Sequence, residues 1–371
     1  MPRRIAVTGT RGKSDVTRLV AAGMRASGAR VLAKTTGSKP VLIFPDGAER
    51  EIPRTGPASI REQVRLVSLA AEIGADTLVS EMMSIGAECL AVESRRILRP
   101  GTVALTNVRL DHLDDMGRQK GDIARTLSSA FPGRAEVFVP EEENCPVFEE
   151  TAARTGSKLH PVVRRAAGDG HGAGSRPALG EFEPNIRLAQ AILESLGIDS
   201  GAADRGMAGA APDPGSLRVW RGRFGDPPCP AVCVNAFAAN DPESSGVVLA
   251  EAAARIGPEA RPLIGLLSLR EDRGDRTLQW VRAAGEGFFS RFSDVILIGV
   301  PARAALRKIR RRVGPGGTVF SFFSGASAEA LMNRIVSVAR SEPVVVGLGN
   351  FVGPGESVVR YWDEKGTSYD R

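Results

Sequence analysis

The chain has 371 residues, 42% hydrophobic and 25% charged, with a net charge of +6 and a pI near 9.4. That length and balance fit a globular protein with two cores, and no run of about 18 apolar residues offers a membrane-spanning helix. Cys89, Cys145, Cys229 and Cys233 are too scattered for a disulfide scaffold or a zinc site, so buried structural thiols are expected.

Met1-Pro-Arg-Arg-Ile-Ala-Val7 passes into a glycine-rich loop without a secretory signal, so a cytoplasmic location is expected. Residues 5–8 read as a strand and Gly9-Thr-Arg-Gly-Lys-Ser14 as the loop. A helix is predicted over 13–27, with Val16, Leu19, Val20 and Met24 on its buried stripe. Backbone N–H groups feeding a helix N-terminus favour negative charge. Lys13 then suits β- and γ-phosphate oxygens, and the Ser14 hydroxyl suits Mg²⁺. The longer GxxxxGK[ST] form would need glycine where Val7 stands, which leaves a tighter phosphate loop opened by Gly9.

Further along, strands are predicted at 31–34 and 77–80 with a helix at 60–73 between them. A helix at 87–98, a strand at 102–106, a helix at 122–130 and a strand at 136–139 follow. This alternation predicts an α/β fold with a mostly parallel sheet covered on both faces. Ligand groups in such sheets gather at the carboxyl ends of strands. Glu81 and the pair Asp111-His112 directly follow strands, where a carboxylate and an imidazole suit a cation beside phosphates.

Residues 164–176 are glycine-rich and without periodicity and read as a flexible loop. A helix over 185–196 follows. Ala210-Ala-Pro-Asp-Pro-Gly215 reads as a linker dividing residues 1–213 from 214–371. Strand patterns at 231–235, 263–267, 295–298, 319–322 and 344–346 then alternate with helices in a second, smaller α/β domain.

The compact GTRGKS loop, the strand-end Glu81, and Thr106-Asn-Val-Arg-Leu-Asp-His-Leu-Asp114 with Met116-Gly117 resemble the Mur ligase superfamily. Within it, Lys34-Thr-Thr-Gly37, Pro212-Asp-Pro-Gly215, Asn235-Ala-Phe-Ala-Ala-Asn-Asp-Pro242, Arg270-Glu-Asp-Arg-Gly-Asp-Arg-Thr277 and Gly347-Leu-Gly-Asn350 are similar to the ligase subunits of poly-γ-glutamate synthases. These matches run along nearly the whole chain.

The resemblance implies a phosphate-loop domain like the Mur ligase central domain, followed by a C-terminal α/β ligase domain. It also implies ATP-dependent amide formation. ATP phosphorylates a carboxylate, an amine attacks the acyl phosphate, and ADP and phosphate leave. Gly9, Thr10, Arg11, Gly12 and Lys13 would hold the phosphates, while Ser14, Glu81 and His112 surround Mg²⁺ and Asn185 lies near the adenine. From the second domain, Asn240, Asp241, Arg270, Asp272 and Arg273 would close over nucleotide and substrate. Lys13, His112, Asp241, Arg270 and Arg273 are the residues expected to carry catalysis. The superfamily's Gly-Arg motif is displaced, because Ser216 follows Gly215; Arg218 is carried to the nucleotide instead.

Three departures narrow the expectation. Only eight residues precede Gly9, so the nucleotide-sugar substrates of peptidoglycan Mur ligases are not expected. Several relatives place a carbamoylated lysine where Thr126 stands, so a second metal site of that kind is not expected either. The apolar N-terminal segment of many relatives is missing, so any membrane attachment would run through a small membrane-embedded partner subunit. Glutamate and the poly-γ-glutamate chain are the implied substrates, and homo-oligomerisation stays open.

Two alternatives stand beside this reading. One is another Mur-type ligase such as a folylpolyglutamate synthase, whose loop usually reads GKGS where this one reads GKSD. The other is a phosphate-loop ATPase without ligase activity. The basic run Arg307, Lys308, Arg310, Arg311 and Arg312 has few aromatics beside it, so a solvated helix face is expected rather than nucleic-acid binding.

Overall fold

A computed structural model of the chain describes residues 3–37, 40–54, 58–164, 183–213, 215–257, 261–314, 316–325, 327–339 and 342–369. The loop expected over 164–176 lies outside the described residues from 165 onward. The chain divides into two compact units, Met1–Pro214 and Gly215–Arg371.

In the first unit, apolar runs of four to six residues form the inner strands, buried on both faces as parallel sheets require. The strands are β1 (Arg3–Thr8), β2 (Val31–Lys34), β3 (Val41–Ile43), β4 (Glu49–Glu51), β5 (Thr77–Glu81), β6 (Thr102–Leu105), β7 (Glu136–Pro140) and β8 (Lys158–Val162). They hydrogen-bond in the order β4-β3-β2-β5-β1-β6-β7-β8. Only the β2–β3 and β3–β4 pairs are antiparallel. Short polar β4, Glu-Arg-Glu, carries no hydrophobic signal, so the sequence pattern misses this edge. The pattern also misses β8, where Pro161 interrupts the apolar residues.

The helices are α1 (Lys13–Ala26), α2 (Arg61–Glu72), α3 (Ala87–Val92), α4 (Leu113–Met116), α5 (Lys120–Leu127), α6 (Pro146–Thr155), α7 (Glu183–Ser195) and α8 (Ser200–Ala208). Val16, Leu19, Val20 and Met24 of α1 pack with Ile5 and Val7 of β1, and with Leu188, Ile192 and Met207 of α7 and α8. Alternate strand residues point the other way: Ala6 packs with Met82 and Leu90, and Leu32 with Leu66. The sheet is therefore helix-covered on both faces, as its near-continuous apolar strands predict. The helix expected over 87–98 changes to a π-helical turn at Glu93–Leu98. Not all thiols are buried as expected: Cys89 is exposed on α3, and Cys145 and Cys229 are partly so.

The second unit holds β9 (Arg218–Phe224), β10 (Cys229–Asn235), β11 (Leu263–Ser268), β12 (Asp294–Ile298), β13 (Val319–Phe322), β14 (Val344–Gly349) and β15 (Gly366–Ser368). Its order is β13-β12-β11-β14-β10-β9-β15, parallel except at β10–β9 and β9–β15. Helices α9 (Pro242–Ile256), α10 (Gly274–Gly285), α11 (Ala302–Arg310), α12 (Ala328–Val338) and α13 (Glu356–Lys365) accompany it. Trp220, Phe237 and Trp362 anchor one core, with Trp220 and Trp362 ring centroids 5.7 Å apart.

Helices α1 and α8 approach backbone to backbone. A Cβ at Gly206 would lie 2.6 Å from the Ala22 carbonyl oxygen and 2.7 Å from the Ala26 Cβ. Gly206→Val must therefore part the two helices, at a cost of about 1–3 kcal/mol. Urea unfolding should give a lower midpoint at unchanged slope; an unshifted midpoint would contradict the packing.

Candidate functional site

Parallel register brings the carboxyl ends of β1, β2, β5 and β6 to one edge: Val7 pairs with Glu81, Lys34 with Ser80 and Thr8 with Leu105. The loop after β1 bends there through Gly9 and Gly12, at φ 123° and 73°. Neither position tolerates a side chain, since a Cβ at Gly9 would lie 2.1 Å from Thr106 Oγ1 and one at Gly12 2.6 Å from Asn185 Nδ2. Asn107 fixes the loop from β6. Its Oδ1 accepts from Thr10 Oγ1 at 2.7 Å and from the Arg11 N–H at 3.0 Å, while its Nδ2 donates to the Arg11 carbonyl at 3.2 Å. Thr106 Oγ1 donates to that same carbonyl at 2.5 Å. Lys13 Nζ folds over the loop, 2.8 Å from the Gly9 carbonyl oxygen.

Ser14, one residue into α1, donates its hydroxyl hydrogen to Glu81 Oε2 at 2.7 Å. The same oxygen accepts the Thr36 N–H at 2.7 Å. Glu81 is only 3% exposed, so its carboxylate is held by hydrogen bonds rather than by water. Gly37 closes the other side, where a Cβ would come within 2.7 Å of Ser14 Oγ.

Behind Glu81 lies a buried polar network that the sequence did not assign. Gln63 Nε2 donates to the Glu81 carbonyl at 3.0 Å and to Glu93 Oε1 at 2.6 Å. Glu93, fully buried, also accepts the Met83 and Ser84 N–H groups. Lys34, 1% exposed, sits 3.2 Å from Glu62. Burial pushes the Lys34 ammonium below its ordinary pKa, against the pull of Glu62. Burial opposes ionisation of Glu62 too, but hydrogen bonds from Arg54 and the charge of Lys34 carry it below the usual carboxylate range. The KTTG motif was legible; the partners of its lysine lie on α2 and were not.

His112 occupies a left-handed conformation at φ 47° and caps α4, a geometry that costs a non-glycine residue about 1–3 kcal/mol. Asp111 supports it, accepting the His112 N–H at 3.0 Å, and stands 3.6 Å from Nε2. Asp111 also binds Arg11 of the loop at 2.9 Å. His112 is thus tied to the loop through Asp111, whereas Ser14 and Glu81 touch directly. Asn185, 4% exposed on α7, packs under Gly12, and its Nδ2 lies 3.5 Å from Asp15 Oδ2. Thr126 donates to the Met116 carbonyl. Two oxygen donors set against a loop of backbone N–H groups suit a hard divalent ion that completes its shell with phosphate oxygens.

The second unit's expected residues cluster at the ends of its own strands. Asp241 caps α9 by accepting the Ser244 N–H at 2.8 Å. With its amide nitrogen turned toward them, Asn240 donates to the Phe237 and Gly349 carbonyls at 2.9 Å each. Arg270 grips Asp272 through two hydrogen bonds of 2.9 and 2.7 Å, which with Arg273 hold that carboxyl below its ordinary pKa. Arg273 caps α10. Arg218 binds Asp363 at 2.7 Å and stacks on Trp220.

Comparison with known proteins adds two family matches. Residues 7–132 match the Mur ligase middle domain, and residues 223–365 match the poly-gamma-glutamate synthase CapB C-terminal domain. The capsule biosynthesis protein CapB of Bacillus anthracis is 30% identical over 97% of this chain and 76% of its own length. The PGA synthase CapB of Bacillus subtilis (strain 168) is 28% identical over 97% of this chain and 90% of its own. Among solved structures, the bifunctional folylpolyglutamate synthase/dihydrofolate synthase from Yersinia pestis, complexed with AMPPNP and Mn ion, superposes with a TM-score of 0.67. It is 18% identical, covering 98% of this chain and 88% of that one. E. coli FolC in complex with DHPP and ADP gives the same TM-score at 16% identity, with the same coverage. These likenesses fix the two-domain α/β fold expected from the sequence.

Asn107→Ala would remove the side-chain acceptor of the Arg11 N–H while the Thr10 hydroxyl keeps the Asn107 backbone carbonyl, costing about 1–3 kcal/mol. Hydrogen exchange at the Arg11 amide should accelerate by a similar free energy. Unchanged protection would mean that Asn107 does not hold the loop.

Proposed function

Starting from a chain that belongs to the CapB family of ligases, we propose that it joins glutamate through γ-linkages in an ADP-forming reaction with an acyl-phosphate intermediate. The observation that carries this is the Ser14–Glu81 contact at the mouth of the Gly9–Lys13 loop. Loop N–H groups and Lys13 would bind the ATP phosphates; Ser14, Glu81 and His112 would hold Mg²⁺. The ion, when bound, supplies charge neutralisation at the phosphate oxygens.

In the proposed sequence, a glutamyl carboxylate oxygen attacks the γ-phosphorus, the bond to the β-phosphate oxygen breaks, and ADP leaves. The amine of the second glutamate then attacks the acyl carbon. Its C–O bond to phosphate breaks, a proton leaves nitrogen, and inorganic phosphate departs. Lys13 stabilises charge on the transferring group. Arg270 and Arg273, with Asp241, are proposed to serve the same reaction from the second unit, and Arg218 and Asp272 to serve nucleotide binding. Among the described residues no helix is long and apolar enough to cross a membrane. We propose a separate small membrane-embedded subunit as the partner where the polymer is made at a membrane.

Protein incubated with Mg-ATP, glutamate and hydroxylamine should yield glutamyl hydroxamate with ADP. Turnover indifferent to every carboxylic acid, or AMP as product, overturns the reading, and a folate acceptor in place of the glutamyl chain tests the folylpolyglutamate alternative. Lys13→Ala should lower hydroxamate formation about 100- to 1000-fold. Glu81→Gln should raise the Mg²⁺ concentration needed for half-maximal rate, and a rate insensitive to that change would remove Glu81 from the metal.

A further inference from the structure

The face of α1 that carries Ser14 continues, one helical turn at a time, through Arg18, Ala22 and Arg25. Arg18 and Arg25 line a cavity of about 350 Å³, together with Glu49 beside β3 and Arg205 of α8. Its lining thus holds three guanidinium groups and one carboxylate, with Asp213 and Asp46 as further carboxylates beside Arg18 and Arg25. Arg18, with its side chain 4% exposed, forks onto Glu49 and stands 4.0 Å from Asp213. That 4.0 Å contact is made by Arg18 Nε toward Asp213 Oδ1, whereas buried Nη1 of Arg25 has no hydrogen-bond partner among the described residues. A buried donor left this way is costly, and a carboxylate oxygen in the cavity would satisfy Arg25 Nη1 with a charge-assisted bond. Burial, and to a lesser degree the neighbouring Arg18, lower the Arg25 pKa, while Glu49 and Asp46 oppose the shift.

We propose that this cavity holds the free α-carboxylates of glutamyl residues lying behind the reacting end of a poly-γ-glutamate chain. The assignment rests on the polymer-ligase reading above. At 1.5 Å per residue, Arg18 lies about 6 Å and Arg25 about 16 Å along the helix from Ser14. A group bound here is therefore not the one phosphorylated at the loop. A γ-linked chain, which carries a free carboxylate on every residue, reaches both places; a single glutamate or phosphate reaches one.

The test uses the full chain and calorimetric titration, without ATP, of a γ-glutamyl trimer, free glutamate and inorganic phosphate. Wild-type protein should bind the trimer, and Arg25→Gln/Arg205→Gln should weaken it at least about tenfold while changing the other two less than about twofold. Trimer binding equal in both proteins overturns the proposal. So does an equal loss for glutamate or phosphate, which would make the cavity a general anion site. Should the double variant fail to fold, exposed Arg205→Gln alone carries the test, with an expected loss of about threefold. Glutamyl hydroxamate formation is run on the same proteins. Its absence in wild type removes the ligase reading, whereas intact formation with unchanged trimer binding removes only the cavity's role.

Discussion

One buried carboxylate organises the nucleotide end of this protein. Glu81 Oε2 accepts both the Ser14 hydroxyl and the Thr36 N–H, which ties the start of α1 and the segment after β2 to the end of β5. At 3% exposure the carboxylate depends on those donors for its solvation. Its backbone is anchored in turn by Gln63, and Gln63 by Glu93. A charged group fixed this way needs little rearrangement when a cation arrives, which is how preorganised sites gain over water. The parallel register of β1, β5 and β6 is what makes the arrangement possible, because it sets three loop origins side by side.

Much of this was legible from the sequence, for a physical reason. Buried parallel strands are apolar, so the residues that follow them stand out, and that signal is what singles out Glu81 and His112 as candidates. The structure places Glu81 at the end of β5 and His112 in the loop between β6 and α4. The phosphate loop stood out because Gly9 and Gly12 bracket a run that leads into an amphipathic helix. What the sequence concealed was partnership across the chain. Asn107 lies 97 residues from Thr10, to which it bonds, and no periodicity encodes that pairing. Lys34 and Glu62 were hidden in the same way. The polar edge strand β4 escaped because it buries nothing, yet it delivers Glu49 to Arg18.

Electrostatics gives the molecule a consistent bias. A net charge of +6 favours acidic partners in general, but the informative charges are the ones placed at cost. Arg18 is buried, answered by Glu49 and Asp213, and lines a cavity that Arg25 and Arg205 share. Arginines of this kind differ from the solvated run along α11, where Arg307 and Lys308 lie exposed and salt would screen them. A polyanionic product and a triphosphate substrate would both find their counter-charge on one helix, with Lys13 and Ser14 at its start and Arg18 and Arg25 farther along.

The chemistry turns on whether a glutamyl oxygen leaves with the phosphate. Glutamate labelled with ¹⁸O in its carboxylates, supplied with Mg-ATP in unlabelled water, tests this by mass analysis of the released phosphate. Acyl-phosphate formation predicts one labelled oxygen in inorganic phosphate for each amide bond made. Unlabelled phosphate at normal amide yield would mean that the carboxylate is not activated by phosphoryl transfer, and would contradict the account.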